Sequence, residues 1–170
     1  LRRAGTWTAT DCVWNAAGTA TLYEFEENYG ASSSLRAGAW SGHAHVRETK
    51  VPTVALDEFA ASEGLDKLTF VKLDVQGSEI DVLQGGESIL RQMRPVLYVE
   101  LERDASAAFG HRVQDLMDAL HGLGYATFFW RHRQLIPATS EAELPTSGHD
   151  DVICLDGARH TSVLALLSRR

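Results

Sequence analysis

The most constraining feature of the sequence is residues 67–101, which read KLTFVKLDVQGSEIDVLQGGESILRQMRPVLYVEL. The apolar run at 69–73 predicts a strand, and the amphipathic stretch that begins at Ser78, a favourable N-cap residue, predicts a helix. Pro95 starts a second apolar strand. This order is typical of a strand–helix–strand unit in a parallel sheet, which therefore organises the fold.

Three polar residues follow or end the two predicted strands, namely Asp74, Gln76 and Glu100. In open parallel sheets the ligand crevice lies just past the carboxyl ends of the strands. We therefore expect these side chains to lie at the chemical site.

Further elements are predicted along the chain by hydrophobic periodicity and by Gly and Pro positions. In chain order they are a hairpin of strands 7–14 and 19–25, a long polar loop over 26–50, a strand at 51–56, a short helix at 57–63, a helix at 110–123, strands at 125–131 and 151–155 joined by a loop over 135–150, and a terminal helix at 160–170. The helix after Ser78 contains Gly85-Gly86, which indicates close packing there. The fold class is α/β, with a mostly parallel sheet and an antiparallel closing hairpin, because no helix separates the last two strands.

Composition restricts the classes of protein. A length of 170 residues suits a single domain over 1–170, and a net charge of −7 disfavours a nucleic-acid surface. No apolar stretch approaches the roughly 18 residues that cross a membrane. Cys12 and Cys154 are far apart and are expected to be reduced and buried, which fits a cytoplasmic protein without a signal-peptide pattern. The scattered histidines show no metal-ligand spacing, so we expect no metal site.

The motif FVKLDVQGSEIDVLQGG resembles the F-x-K-x-D-x-E-G-x-E-x-x-V-L-x-G signature of FkbM-type S-adenosylmethionine-dependent methyltransferases. Six flanking pieces follow the family's order, so the resemblance covers most of residues 12–156; they are GTATLYEF, GASSSL, VPTVALDEF, PVLYVEL, LHGLGY and DDVICL. The resemblance implies a class I, Rossmann-like methyltransferase sheet, S-adenosylmethionine as cofactor, and O-methylation of a sugar or natural-product hydroxyl.

The resemblance also implies roles for the motif residues. Asp74 would lie near the transferred methyl group as a base or orienting group, although a carboxylate there could simply cap the next helix. Gln76 stands where the family prefers Glu; since Gln cannot take a proton, it would hold substrate by hydrogen bonds. Glu100 ends the next strand and is the second catalytic candidate.

Lys72 lies mid-strand in an apolar run, where a buried ammonium needs a partner such as Glu100 or Glu79; its alternative role is substrate binding. Glu79 matches the motif's second Glu and either binds substrate or compensates the helix dipole.

Two further groups are candidates by the resemblance. Asn28, Ser33 and Ser34 match an N-x-G-x-S-S pattern and would bind substrate, unless they serve only as turn residues. Cys12 and Val13 end the first strand where the family places adenine, so they are cofactor-binding candidates, with core packing as the alternative.

The sequence departs from the family in having no Gly-rich cofactor turn before residue 30. We therefore expect the chain to begin near the third strand of the family's sheet, with the amino-terminal half upstream of Leu1. An open sheet edge would then allow a homo-oligomer or a partner chain to bind, so a non-catalytic pairing module is the alternative function. A different nucleotide-binding α/β enzyme is disfavoured because no phosphate loop is present.

Overall fold

The computed structural model describes residues 12–25, 33–37 and 46–167. Within these residues the strands form two sheets, in the orders β1-β4-β2-β3 and β5-β6-β9-β7-β8. The strands are β1 Cys12–Trp14, β2 Gly18–Phe25, β3 Ser33–Ser34, β4 Val46–Ala55, β5 Phe70–Leu73, β6 Val96–Glu102, β7 Ala126–Arg131, β8 Gln134–Pro137 and β9 His149–Leu155. The helices are α1 Leu56–Ser62, α2 Glu79–Gly85, α3 Glu87–Met93, α4 Arg103–Ala108, α5 Val113–Gly122 and α6 Thr161–Leu167.

The first sheet corrects the predicted hairpin. Strands β1 and β2 do not pair with each other, because β4 lies between them, parallel to β1 and antiparallel to β2. The ten-residue β4 offers β2 eight registered partners, far more than the three-residue β1 could. Strand β4 also begins at Val46 and β3 lies at Ser33–Ser34, so the prediction of a single loop over 26–50 was wrong at both places.

The second sheet is less parallel than predicted. Strands β5 and β6 are parallel, but β9 inserts antiparallel between β6 and β7, and β8 pairs antiparallel with β7 at the edge. The predicted loop over 135–150 therefore contains most of β8 and a single 3-10 turn at Glu141–Glu143. The α/β class is confirmed, as a mixed fold with two sheets, while the expectation of a mostly parallel sheet was wrong for the strands described.

The predicted helix after Ser78 is two helices, because it breaks at Gly85-Gly86. A Cβ on Gly85 would lie 2.2 Å from the backbone oxygen of Trp14, so only glycine lets α2 approach β1 this closely. The new amino terminus of α3 is capped from α1, where the Asp57 carboxylate accepts the N–H groups of Ser88 and Ile89 at 3.0 and 2.8 Å. The prediction of close packing on a sheet is confirmed for Gly85, whereas a Cβ on Gly86 would meet the Leu56 side chain of α1 at 2.7 Å.

Helix α4 was not predicted, since its small side chains (RDASAA) carry little periodicity. The helix predicted over 110–123 is present as α5, and α6 lies within the predicted terminal helix. None of the helices in the part of the chain that the structure describes combines the length and apolar character required to cross a bilayer.

The two faces of the second sheet differ. One face packs against the helices and forms the main core, with Leu73, Leu97, Val99, Val152 and Phe129 at most 4% exposed. Alternate residues point the other way and stay partly or fully exposed. We call this side the open face; it carries Lys72, Tyr98, Glu100, Asp151 and Trp130. The site lies where the open face meets the carboxyl end of β5.

Candidate functional site

The site is built on a tight turn that follows β5. Gln76 has φ of 55° and Gly77 has φ of 101°, and a Cβ on Gly77 would lie 2.4 Å from the Ala105 carbonyl oxygen. Beneath the turn, Glu79 Oε1 accepts the N–H groups of Val75 and Gly77 at 3.1 and 3.3 Å. The turn is therefore fixed by backbone packing and by a buried carboxylate.

A hydrogen-bonded group, which we call the carboxylate cluster, spans the ends of β5, β6 and β9. It consists of Lys72, Asp74, Gln76, Glu100 and His149. Lys72 Nζ lies 2.6 Å from Asp74 Oδ2, and Gln76 Nε2 donates to Asp74 Oδ1 at 2.9 Å. The same amide nitrogen donates to Glu100 Oε2 at 2.8 Å, while Glu100 Oε1 lies 3.1 Å from His149 Nε2. One glutamine amide thus joins the two carboxylates.

The two carboxylates differ in proton affinity. The hydrogen bond from Lys72 lowers the pKa of Asp74, and the Gln76 amide acts in the same direction. Burial, and then the negative charge of Asp74, raise the pKa of Glu100 to about 7 against the opposing effect of His149. Asp74 is therefore ionised at neutral pH, whereas Glu100 exchanges a proton there.

A cleft of about 390 Å³ opens between the two sheets beside this cluster. Its walls combine apolar and polar side chains: Cys12, Val13, Leu22, Ser33, Ser34, Leu35, Asp74, Val75, Gln76 and Ser78. The buried Ser34 hydroxyl donates to the Gln76 carbonyl at 3.1 Å, which ties β3 to the turn. The cleft therefore receives residues from the first sheet and from the turn at the carboxyl end of β5.

The walls suit part of a sulfonium nucleoside. Val13, Leu22 and Leu35 offer an apolar surface for a flat ring, and the Asp74 carboxylate offers a negative charge for a cationic sulfur. Within 12–25, 33–37 and 46–167, no group of three or more His, Cys, Asp or Glu side chains is arranged to hold a metal ion.

A family model described as methyltransferase FkbM domain matches residues 6–127, which is most of the chain. The chain belongs to the FkbM methyltransferase family. No curated protein and no solved structure gave a significant match. The match includes β1 to α5 and the whole cleft, but it ends before β9, so His149 lies outside it.

The structure brings together most of the residues that the FkbM motif suggested. Asp74, Gln76 and Glu100 are hydrogen-bonded neighbours, and Ser33 and Ser34 line the adjoining cleft. Cys12 and Val13 of β1 also line it. Asn28 lies outside the described residues.

Two motif residues differ from what the sequence suggested. Lys72 is not buried; its side chain is 56% exposed on the open face and pairs with Asp74, not with Glu100 or Glu79. Strand alternation explains this, because the core-facing neighbours of Lys72 are Val71 and Leu73. Glu79 is 3% exposed beneath the turn, where its contacts are backbone N–H groups and not the cleft. Cys154 is buried in the core as predicted, while Cys12 is only half-buried.

Sequence reasoning missed two features of the site. The histidines were predicted only not to form a metal site. The pairing of β9 with β6 places His149 opposite Glu102, from where its side chain reaches Glu100 diagonally. Tyr98 donates to Asp151 Oδ2 at 2.8 Å on the open face, which raises the pKa of Tyr98 to about 12. Alternation within β6 could have placed Tyr98 and Glu100 on one face, but nothing local indicates which residues of β9 oppose them.

A second cleft lies on the open face next to the cluster. Its volume is about 300 Å³ and it is lined by Tyr98, Trp130, Asp150, Asp151, Ile153 and Leu167. Asp151 is the registered partner of Glu100, so this cleft and the cluster adjoin.

Proposed function

We propose that the protein is an S-adenosylmethionine-dependent O-methyltransferase that acts on a hydroxyl of a sugar or natural-product small molecule. The observation that carries the proposal is the pair of carboxylates, Asp74 and Glu100, joined by Gln76 at the carboxyl ends of β5 and β6. They border a cleft between the sheets, and family membership supplies the reaction class.

The direction of the strands supports a class I, Rossmann-like origin for the second sheet. Strands β5, β6 and β7 run one way, and β9 runs the other way between β6 and β7. We propose that this sheet is the carboxy-terminal part of a class I methyltransferase sheet. Its ligand crevice would then lie at the end where the carboxylate cluster is found.

The cofactor, when bound, supplies a methyl group on a positively charged sulfur. We propose that Cys12, Val13 and the β3 serines contact it, because they line the cleft from the first sheet, next to Asp74. Asp74, ionised and held by Lys72 and Gln76, orients the reacting groups and favours the positive charge. Glu100 accepts the hydroxyl proton of the acceptor, since its proton affinity suits a base near neutral pH.

The cleft on the open face supports the choice of acceptor. Trp130 is 46% exposed there beside the Tyr98–Asp151 pair. An exposed indole packs against the C–H face of a sugar or a related ring, and neighbouring carboxylates accept hydroxyl hydrogen bonds. We propose that the acceptor lies across this cleft with one hydroxyl directed to Glu100.

Calorimetric titration with S-adenosylhomocysteine tests the cofactor site. We expect micromolar binding to the folded chain, and loss of that binding in Ser33→Trp, because an indole at this position fills the cleft. Ser147→Trp, in an exposed loop, is the matched control and should bind like the wild type. Circular dichroism establishes that both variants are folded.

A second candidate function is a non-catalytic module that pairs with another copy of the chain. Strand β5 is the end strand of its sheet among the described residues, and Phe70 on it is 56% exposed. If the folded chain does not bind S-adenosylhomocysteine and sediments as a dimer that Phe70→Lys dissociates, this second candidate replaces the first.

A further inference from the structure

The two oxygens of Glu100 have different partners, and this difference assigns them different tasks. Oε2 accepts from the Gln76 amide at 2.8 Å, and Oε1 lies 3.1 Å from His149 Nε2. The Glu100 side chain is 15% exposed, whereas the His149 side chain is 46% exposed. The histidine therefore connects a largely buried carboxyl group to solvent.

The charged groups around Glu100 leave His149 as its partner for proton exchange. From the end of β5 it faces Asp74, which pairs with Lys72 at 2.6 Å and stays ionised. From α2 it faces Glu79, whose Oε1 is occupied by backbone N–H groups. From β9 it faces Asp151, which accepts from Tyr98, and His149 itself. Of these groups, only His149 both contacts Glu100 and has a ring nitrogen there that can either donate or accept a proton.

We propose that Glu100 and His149 hold one exchangeable proton between them, with Gln76 as the positioning residue, and that His149 is the exit through which this proton reaches solvent. The role of this proton in the reaction rests on the proposed methyl transfer. The sharing of the proton between Glu100 and His149 does not depend on that function.

The proton balance is simple. The acceptor O–H bond breaks, its proton goes to the Glu100 carboxylate, and its electron pair stays on oxygen for the new bond to the methyl carbon. The pair of the broken C–S bond remains on sulfur. The proton taken up by Glu100 replaces the one that the Glu100–His149 pair had first released to water through His149, and it is again shared between Oε1 and Nε2, so the site returns to its starting state.

The geometry also explains why this chain has Gln at position 76. The amide donates to both carboxylates from one nitrogen, which a carboxylate cannot do. A third carboxylate there would have to take up a proton to stay between two others. Gln76 therefore supplies the donors permanently, and the exchangeable proton stays with Glu100 and His149.

The test is carboxyl ¹³C NMR of glutamate-labelled full chain, with the Glu100 signal assigned by its absence in Glu100→Gln. We expect Glu100 to titrate at about pH 7 in the wild type. In His149→Gln the midpoint should rise by about one pH unit, because the opposing positive charge is lost while the amide keeps the hydrogen bond. His132→Gln, in the turn between β7 and β8, should leave it unchanged.

A Glu100 midpoint near its ordinary value, or one that His149→Gln does not move, would overturn the proposal. The variant Gln76→Glu gives an independent test, since one additional carboxyl group should then titrate near neutral pH. If no such group appears, Gln76 is not the positioning residue. The acidic limb of the methyl-transfer pH profile should move with the NMR midpoint in His149→Gln, with unchanged S-adenosylhomocysteine affinity. Because the NMR measurement needs no methyl transfer, it tests whether Glu100 and His149 share a proton even if the proposed function fails.

Discussion

The two ends of the β5–β6 strand pair contain charged groups that are buried to a similar degree but differ in their partners and in their pKa shifts. At the amino end, Arg94 and Asp156 are 12% and 16% exposed and lie 2.6 Å apart. At the carboxyl end, Glu100 is 15% exposed and faces an amide, a histidine and other acids. Similar burial therefore produces a satisfied ion pair at one end and a carboxyl group of altered proton affinity at the other.

The difference comes from the partners. The Arg94 guanidinium donates to Asp156 and to the carbonyls of Leu123 and Gly124, and it lies 4.5 Å from the Tyr125 ring centroid. Backbone N–H donors, Arg159 first, and Arg94 lower the pKa of Asp156 to about 2. At the other end the pKa of Glu100 is raised instead. We infer that the Arg94–Asp156 pair at the amino end stabilises the fold. At the carboxyl end, the ionised form of Glu100 is unfavourable, and this raised pKa suits a role in the proposed chemistry.

A cleft of about 500 Å³ lies at the amino end and is larger than either cleft near the carboxylate cluster. It does not make the amino end a candidate for the functional site. Arg94 and His160 line it, but their polar atoms bind other parts of the chain. Size alone therefore does not identify the site.

Arg94→Met should produce the largest loss of stability. The substitution leaves Asp156 partly buried without its cation and leaves the two carbonyls without donors, so we expect a loss of about 3 kcal/mol in urea denaturation. Arg91→Met, in helix α3 just before Arg94, removes a pair with Glu87 whose side chains are 50% and 56% exposed and a bond to the Gly122 carbonyl, and should cost under about 1 kcal/mol. Equal losses would show that the amino-end pair has no special structural role.

Sequence patterns predicted the residues of the site more accurately than they predicted the pairing of the strands. Asp74, Gln76 and Glu100 could be predicted because strand ends and motif spacing are local features. The pairing of β4 between β1 and β2, and of β9 between β6 and β7, depends on contacts between residues far apart in sequence. His149 was missed for the same reason, since only register brings it to Glu100. The prediction of a buried Lys72 was wrong because an apolar run in a strand does not require burial on both faces of the sheet.

Glu100→Gln should show that the carboxyl end costs stability. The folded pKa of Glu100, about 7, lies above its ordinary value of 4.5, so the folded state holds a proton that the unfolded state releases between these values. Stability from this group is full below about pH 4.5 and is lost as pH rises through about 7. The neutral variant should therefore gain about 3 kcal/mol relative to the wild type between pH 4.5 and 8.

Urea denaturation of both proteins across this range measures the difference. Glu102→Gln, two residues further along β6, is the matched control and should run parallel to the wild type. A constant difference between Glu100→Gln and the wild type across the range would mean that Glu100 has an ordinary proton affinity.

The two histidine sites, one at each end, give the smallest and most direct comparison. At the amino end, His160 Nδ1 accepts the Asp156 N–H at 2.8 Å and Nε2 lies 2.9 Å from the Arg94 carbonyl. These contacts fix one tautomer, with the proton on Nε2. At the carboxyl end, the contact of His149 with Glu100 uses Nε2.

Glutamine places an amide near the Nε2 position but offers no acceptor at Nδ1. His160→Gln therefore keeps the bond to Arg94 and leaves the Asp156 N–H unpaired, which should cost about 1 kcal/mol in urea denaturation. His149→Gln keeps its bond to Glu100 and should change stability by less than about 0.5 kcal/mol while it shifts the titration of Glu100. If His149→Gln proved the more destabilising of the two, the carboxyl-end histidine would be structural, and the division between a stabilising end and a chemical end of this sheet would fail.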